Sequence, residues 1–440
     1  EVGLGKTIMT ASTILENKKN NTLILLPKSL INQWKLELEK YSTIINIIIP
    51  DSSDQFSLNT DNSKICVYLV SHSRFNKPRV DNPLDQIPYL KVNWDRVIID
   101  EAHVIKNKKS KIHQAMSYIK SPIRWALTAT PIMNSMRDFI NIISWTSQNN
   151  ICQNDCQLKR DEIMKKYILR RTKEDVKICN IKLELPECHI QIHKLNFAYQ
   201  SEKDIYYNFY SECTSKIKEF KQLYGSQSLM YIMELIIRAR QICCHPQTYI
   251  DGINKKLKKL KQNNVELTKE KVLDNWIGSS TKIDFVLNSI KNQPSDDKCI
   301  IFCQFTVEMN IYENILKKHN YNIVRIDGKL SIEERSSIVS QFQNDNLIKI
   351  LLIQVNVGGQ GINFQCANHI YITSPTWNPA LQHQIIGRCH RTGQKKEVFV
   401  NILAISNDDV SKPYIEEYII ELQKIKRKIM ASVLNDDRLL

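Results

Sequence analysis

Between residues 22 and 145, short apolar runs rich in β-branched residues alternate with stretches whose apolar positions recur every three or four residues. The runs at 22–26, 65–70, 96–100 and 124–128 predict strands, and their alternation with helical stretches predicts a parallel sheet covered by helices. From 151 to 280 the strand pattern fades, helical spacing dominates at 202–220 and 229–242, and the lysine-rich stretch 255–271 follows. Alternation resumes with strand patterns at 298–305, 322–326, 348–354, 369–373 and 398–403, and the chain closes on a charged helical pattern over 410–433. The expected organisation is α/β, with a first lobe over 1–150, a helical insert and linker over 151–280, a second lobe over 281–408 and a C-terminal helical brace over 409–440. No repeat at solenoid periods is visible.

A chain of 440 residues exceeds what one compact core supports, which argues against a small binding module. No apolar run reaches membrane-spanning length; even 44–49 is short and broken by Asn46. The 61 Lys and Arg outnumber the 46 Asp and Glu, for a net charge of +15, which favours a polyanionic partner, nucleic acid first. Lysine is nevertheless used heavily throughout, alongside Ile and Asn, and a solvated helix face accounts for 255–271 as well as a phosphate grip does. The 12 cysteines form no CxxC pair; the nearest approaches are Cys152 with Cys156, Cys299 with Cys303, and Cys243-Cys244-His245. Cys299 and Cys303 lie in an apolar run that reads as a buried strand, so reduced thiols in an intracellular compartment are expected.

Chemistry enters at the first residue. Glu1-Val2-Gly3-Leu4-Gly5-Lys6-Thr7 matches all but the first position of the phosphate-loop pattern GxxxxGK[ST] and runs straight into a helical stretch, so the chain is expected to be a fragment. Glycines such as Gly3 and Gly5 let backbone N–H groups close round phosphate oxygens at a helix N-terminus, Lys6 reaches the β and γ phosphates, and the Thr7 hydroxyl ligates Mg²⁺. Further on, the apolar strand pattern at 97–99 ends in Asp100-Glu101-Ala102-His103, two adjacent carboxylates at the carboxyl edge of the sheet. Asp100 suits Mg²⁺, Glu101 suits orienting and deprotonating the attacking water, and His103 is placed to sense the γ-phosphate. Leu127-Thr128-Ala129-Thr130-Pro131 then offers two hydroxyls, Thr128 and Thr130, for relaying nucleotide state.

In this order the motifs resemble those of superfamily two helicases. Val357-Gly358-Gly359-Gln360-Gly361-Ile362-Asn363, Trp377-Asn378-Pro379 and the stretch from Gln384 through Gly387-Arg388-Cys389-His390-Arg391 to Gln394 narrow the resemblance to the SWI/SNF-related ATPases of chromatin remodelling and DNA repair. Leu169-Arg170-Arg171-Thr172-Lys173, Gln241 to Pro246, Ile301 to Phe305 and Asp327-Gly328 extend it over essentially the whole chain. The resemblance implies two RecA-like lobes, ATP and Mg²⁺ as cofactors, Arg388 and Arg391 as arginine fingers, and coupling roles for Gly361, Gln384 and Asn363. It also implies double-stranded DNA as partner, with nucleosomes or other DNA-bound proteins beyond it, and puts Lys28, His72, Gln304 and Trp377 near motifs that face DNA. A lone tryptophan such as Trp377 is equally a packed core residue. Arginine fits the finger role because its guanidinium stays charged and donates in pairs.

Ala129, Met133, Val357 and Gly387 depart from the family's usual Gly, Gln, Ala and Asp, which leaves the subfamily open. The 241–246 stretch resembles the subgroup that inserts a RING finger between the lobes, but no zinc-ligand spacing supports one. The expected function is a DNA-stimulated ATPase that translocates on duplex DNA to remodel or displace bound proteins, nuclear in a eukaryote and otherwise cytoplasmic or viral. A strand-separating helicase acting on RNA or DNA, and a nucleic-acid-binding scaffold without hydrolysis, are the competing expectations.

Overall fold

The computed structural model describes residues 3–434 apart from 42, 51–55, 57, 59–63, 77–86, 134, 153–159, 173, 176–184, 225–227, 263–271, 359–361 and 410. The chain divides into two compact units, one of residues 1–184, 378–387 and 424–440, the other of 185–377 and 388–423.

The first unit is built on a five-stranded sheet. Its strands are β1 (Asn21–Leu26), β2 (Ile45–Ile48), β3 (Ile65–Ser71), β4 (Arg96–Asp100) and β5 (Ile123–Leu127), in the order β2-β3-β1-β4-β5, every pair parallel. Among the described residues, the helices packed with it include α1 (Lys6–Glu16), α2 (Ile31–Glu39), α3 (Lys111–Ser117) and α4 (Met136–Ser147). Neighbouring positions along each strand point to opposite faces, and both faces are covered. Leu23, Leu25, Tyr68, Val70, Val97 and Ile99 join one core with Trp94, Met116 and Trp145. Ile24, Leu26, Val67, Leu69 and Ile98 join the other with Ala11 and Ile14 of α1 and Trp34 and Leu38 of α2. Burial on both faces explains why these strands read as continuous apolar runs.

The second unit carries a six-stranded parallel sheet ordered β6-β11-β10-β7-β9-β8, from β6 (Cys188–Leu195), β7 (Cys299–Cys303), β8 (Ile323–Ile326), β9 (Ile350–Gln354), β10 (His369–Ile372) and β11 (Val398–Ile405). One of its cores joins Cys299, Ile301, Cys303, Leu352 and Tyr371 to the helices Thr281–Lys291 and Thr306–Lys318. Cys299 and Cys303 are buried thiols within β7, as the apolar run predicts. Two parallel sheets covered by helices are the α/β architecture expected from the alternation.

Two strands depart from the sequence reading. β6 lies inside the segment read as helical, pairing with β11 along its length at the sheet margin; half its residues are polar and most are exposed, so no apolar run announces it. β2 is only four residues long. Of the lysine-rich stretch, the helix Pro246–Gln262 takes the first part, and 263–271 lies outside the described residues. The C-terminal pattern forms a helix at Ile415–Leu434. No described helix is long and apolar enough to cross a membrane.

Candidate active site

The site in the first unit is assembled at the start of α1 and the carboxyl ends of β3, β4 and β5. Gly3 and Gly5 have φ of 87° and 74°, a left-handed conformation that glycine adopts without steric cost. Gly5 is the N-cap of α1; its carbonyl accepts from the Met9 N–H at 2.9 Å, and a Cβ on it would meet nothing within 4 Å. The helix therefore begins with the Lys6 and Thr7 N–H groups at an open end, the geometry that binds anions.

Asp100 closes β4 and is 7% exposed. Its Oδ1 accepts from the Glu101 N–H at 2.9 Å, and its Oδ2 accepts from Trp34 Nε1 at 2.8 Å. Burial, then the neighbouring Glu101 charge, push its pKa above the ordinary carboxylate value, while the Trp34 and Glu101 donors and the Lys6 ammonium oppose them. Glu101 has φ 51° and ψ 51°, a left-handed conformation that costs a non-glycine residue on the order of 1 kcal/mol. Gln384 Nε2 donates to its Oε2 at 3.3 Å, and His103 Nδ1 lies 3.3 Å from the same oxygen. Thr128 and Thr130 follow β5, whose Leu127 pairs with Asp100; Thr128 Oγ1 accepts from the Thr130 N–H at 3.1 Å.

A hydroxyl and carboxylates are the hard oxygen donors that Mg²⁺ takes. Asp100 is buried beside a second carboxylate, with Lys6 as the cation that eases its charge, so the residues present fit a divalent cation.

The structure places the residues expected near DNA individually. Lys28 is exposed on a 3-10 turn leaving β1. His72 points inward beneath the acidic pair: burial lowers its pKa to about 4, the Leu25 and Asp100 carbonyls oppose this, and its Nε2 is buried without a hydrogen-bond partner among the described residues. Gln304 and Trp377 both meet Arg240, which is 4% exposed. Arg240 Nη2 donates to Gln304 Oε1 at 3.2 Å, Ser374 Oγ at 3.3 Å and the Pro375 carbonyl at 3.0 Å, and the guanidinium lies 5.7 Å from the Trp377 ring centroid. Asn363 is engaged locally, its Oδ1 accepting from the Gln365 N–H at 3.2 Å. Arg388 lies in the last turn of the helix Pro379–Cys389, and Arg391 follows that helix with Nε buried and burial lowering its pKa. Gly361 lies outside the described residues.

The SNF2-related domain model matches residues 1–248. The chain belongs to the SNF2-related family. The helicase conserved C-terminal domain matches 281–393. Members of the family are helicase-like ATPases, and the two parallel sheets are their RecA-like lobes. The DNA repair protein RAD5A of Arabidopsis thaliana is 25% identical over 557 residues, covering 99% of this chain and 52% of that protein. The human SWI/SNF-related matrix-associated actin-dependent regulator of chromatin subfamily A member 1 is 27% identical over 470 residues, covering 100% of this chain and 42% of that protein. The DNA repair and recombination protein RAD54-like of Drosophila ananassae is 24% identical over 490 residues, covering 99% and 59%. The chain thus spans about half the length of the curated relatives it matches.

Sequence reasoning missed Trp34 and Arg240. Trp34 sits on a short helix that follows β1 after a 3-10 turn, where it reads as core. Arg240 immediately precedes the quoted stretch from Gln241 to Pro246, and only the fold shows what it touches.

Proposed function

We propose that this SNF2-related chain is the motor core of a DNA-stimulated ATPase that translocates on double-stranded DNA to remodel or displace bound proteins. The observation that supports it most is the acidic pair, with Asp100 fixed by two N–H donors and Glu101 turned into the left-handed region next to the glycine-bounded start of α1. Mg²⁺ held by Thr7 and Asp100 would neutralise charge on the phosphates. Lys6 and the α1 N–H groups bind phosphate oxygens, Gly3 and Gly5 shape that turn, and Gly361 is assigned to nucleotide binding. Glu101 accepts the proton of the attacking water on its carboxylate, and Gln384 orients that carboxylate through the 3.3 Å contact. His103, Thr128 and Thr130 report the nucleotide state. Arg388 and Arg391 supply guanidinium charge to the transferring phosphoryl group.

Relatives named for DNA repair and for chromatin regulation favour duplex DNA as the track, and the net charge of +15 suits a phosphate backbone. Lys28, His72, Gln304, Asn363 and Trp377 are assigned to DNA response, His72, Gln304 and Trp377 acting through the network around them.

Lys6→Ala and Glu101→Gln are each expected to lower turnover at least about a hundredfold while leaving most duplex-DNA binding intact. Steady-state ATPase rates at one fixed salt concentration, with duplex DNA, single-stranded DNA, RNA or nucleosomes, test the partner. Strong stimulation by duplex DNA supports translocation. Preference for RNA or single strands points to strand separation, and undiminished turnover in either variant sinks the site assignment.

A further inference from the structure

We propose that Trp34 is a positioning residue for the metal-bearing carboxylate. Its indole N–H holds Asp100 in the one orientation that leaves the carboxylate available to a divalent cation. The inference rests on the assignment of Asp100 to Mg²⁺ above.

Trp34 lies on α2 with 1% exposure, among Ile24, Leu30, Leu38 and Ile98. A buried indole N–H needs an acceptor, and this one donates to Asp100 Oδ2 at 2.8 Å, across 66 residues of sequence. The bond is charge-assisted when Asp100 is ionised, and it acts in a buried setting where such bonds are strong. The second oxygen, Oδ1, accepts the Glu101 N–H at 2.9 Å. Two donors from different elements, one on each oxygen, fix the carboxylate plane. Each oxygen still has a lone pair left over.

Without the indole donor, Asp100 keeps the Glu101 N–H alone, and its carboxylate plane is free to turn away from the direction that the two donors fix. Donors of this kind behind a metal ligand fix its direction and charge, and losing one commonly weakens metal binding by about tenfold to a hundredfold. The role is specific to the N–H. The apolar ring could be replaced by another of similar size without touching the metal ligand.

The test uses Mn²⁺ as a spectroscopic stand-in and follows Mn²⁺ binding to the ADP complex of the full chain by electron paramagnetic resonance. Trp34→Phe is expected to weaken Mn²⁺ binding about tenfold. ADP binding in the presence of EDTA stays unchanged, which a general loosening of the site would not allow. In the Asp100→Asn background, Trp34→Phe is expected to cause no further loss, because the two residues act through one bond. If Phe leaves a void that unfolds the chain, benzothienylalanine at position 34, which puts sulfur in place of the N–H in an isosteric ring, carries the same measurement. Unchanged Mn²⁺ affinity in a folded variant, an equal loss of metal-free ADP binding, or additive losses in the Asp100→Asn background each overturn the inference. If the unaltered chain binds neither ADP nor Mn²⁺, the assignment of the nucleotide site falls and takes this inference with it.

Discussion

The carboxyl edge of the first sheet and that of the second are both lined with polar side chains, but they are held in opposite ways. At the first, two carboxylates stand side by side, one buried and one on a left-handed backbone, next to a helix start bounded by left-handed glycines. At the second, charge is paired or capped. Arg240 is enclosed by Gln304, Ser374, Pro375 and Trp377, and the Lys282 ammonium, 1% exposed, bonds both oxygens of Glu416 at 2.7 Å and the Thr373 carbonyl at 2.6 Å. Strain and negative charge persist in folded proteins where surrounding packing compensates for them, and they gather at sites of chemistry. Hydrogen bonds and an ion pair of this kind instead make a rigid platform. The first edge therefore concentrates negative charge and backbone strain, and the second holds buried charges in place.

The largest expected effect breaks the platform. Lys282→Met leaves Glu416 buried without its cation, and such a loss costs about 3–5 kcal/mol. Urea unfolding should show a correspondingly lower midpoint. Replacing both residues by apolar ones of similar size is expected to recover most of that loss, because desolvation of the pair is then no longer required. A single variant as stable as the parent would mean that the second edge is not held by this pair.

Next in size is a dependence on pH. His245, 4% exposed, accepts the Gln247 N–H at 3.1 Å on Nδ1, and burial lowers its pKa from 6.5 to about 4. The unfolded chain binds this proton more readily than the folded one, so stability is complete above the unfolded value of 6.5 and falls as pH drops towards 4. The loss from this residue amounts to roughly 2–3 kcal/mol at pH 4. His245→Asn should make the unfolding profile less steep between pH 6.5 and 4, leaving the part that His72 contributes through the same lowering; an equally steep profile in the variant would place the acid sensitivity elsewhere.

The same contrast explains what was legible in the sequence. The central strands are buried on both faces, so their apolar runs stand out, and the phosphate-loop and Asp100-Glu101 motifs carry residue types that few structural roles require together. β6 was hidden because a marginal, mostly exposed strand can be half polar. Trp34 and Arg240 were hidden because their roles are partnerships across 66 and 64 residues, which no local spacing encodes. His72 was expected near a motif that faces DNA, and its burial after the 3-10 turn that follows β3, close to Asp100 and Glu101, is something local spacing does not encode either.

The smallest expected effect runs against the usual direction of mutation. Asparagine tolerates the left-handed region better than glutamate, and Glu101→Asn also removes a charge that presses on Asp100. The variant is expected to gain about 1 kcal/mol in denaturant unfolding while losing at least about a hundredfold in turnover. Among the described residues the only other positive-φ positions that are not glycine are Gln148 and Asn320, neither at the second edge, so no corresponding gain is available there. A Glu101→Asn chain no more stable than its parent would show that the acidic turn is relaxed as it stands, and that the two edges differ in charge but not in strain.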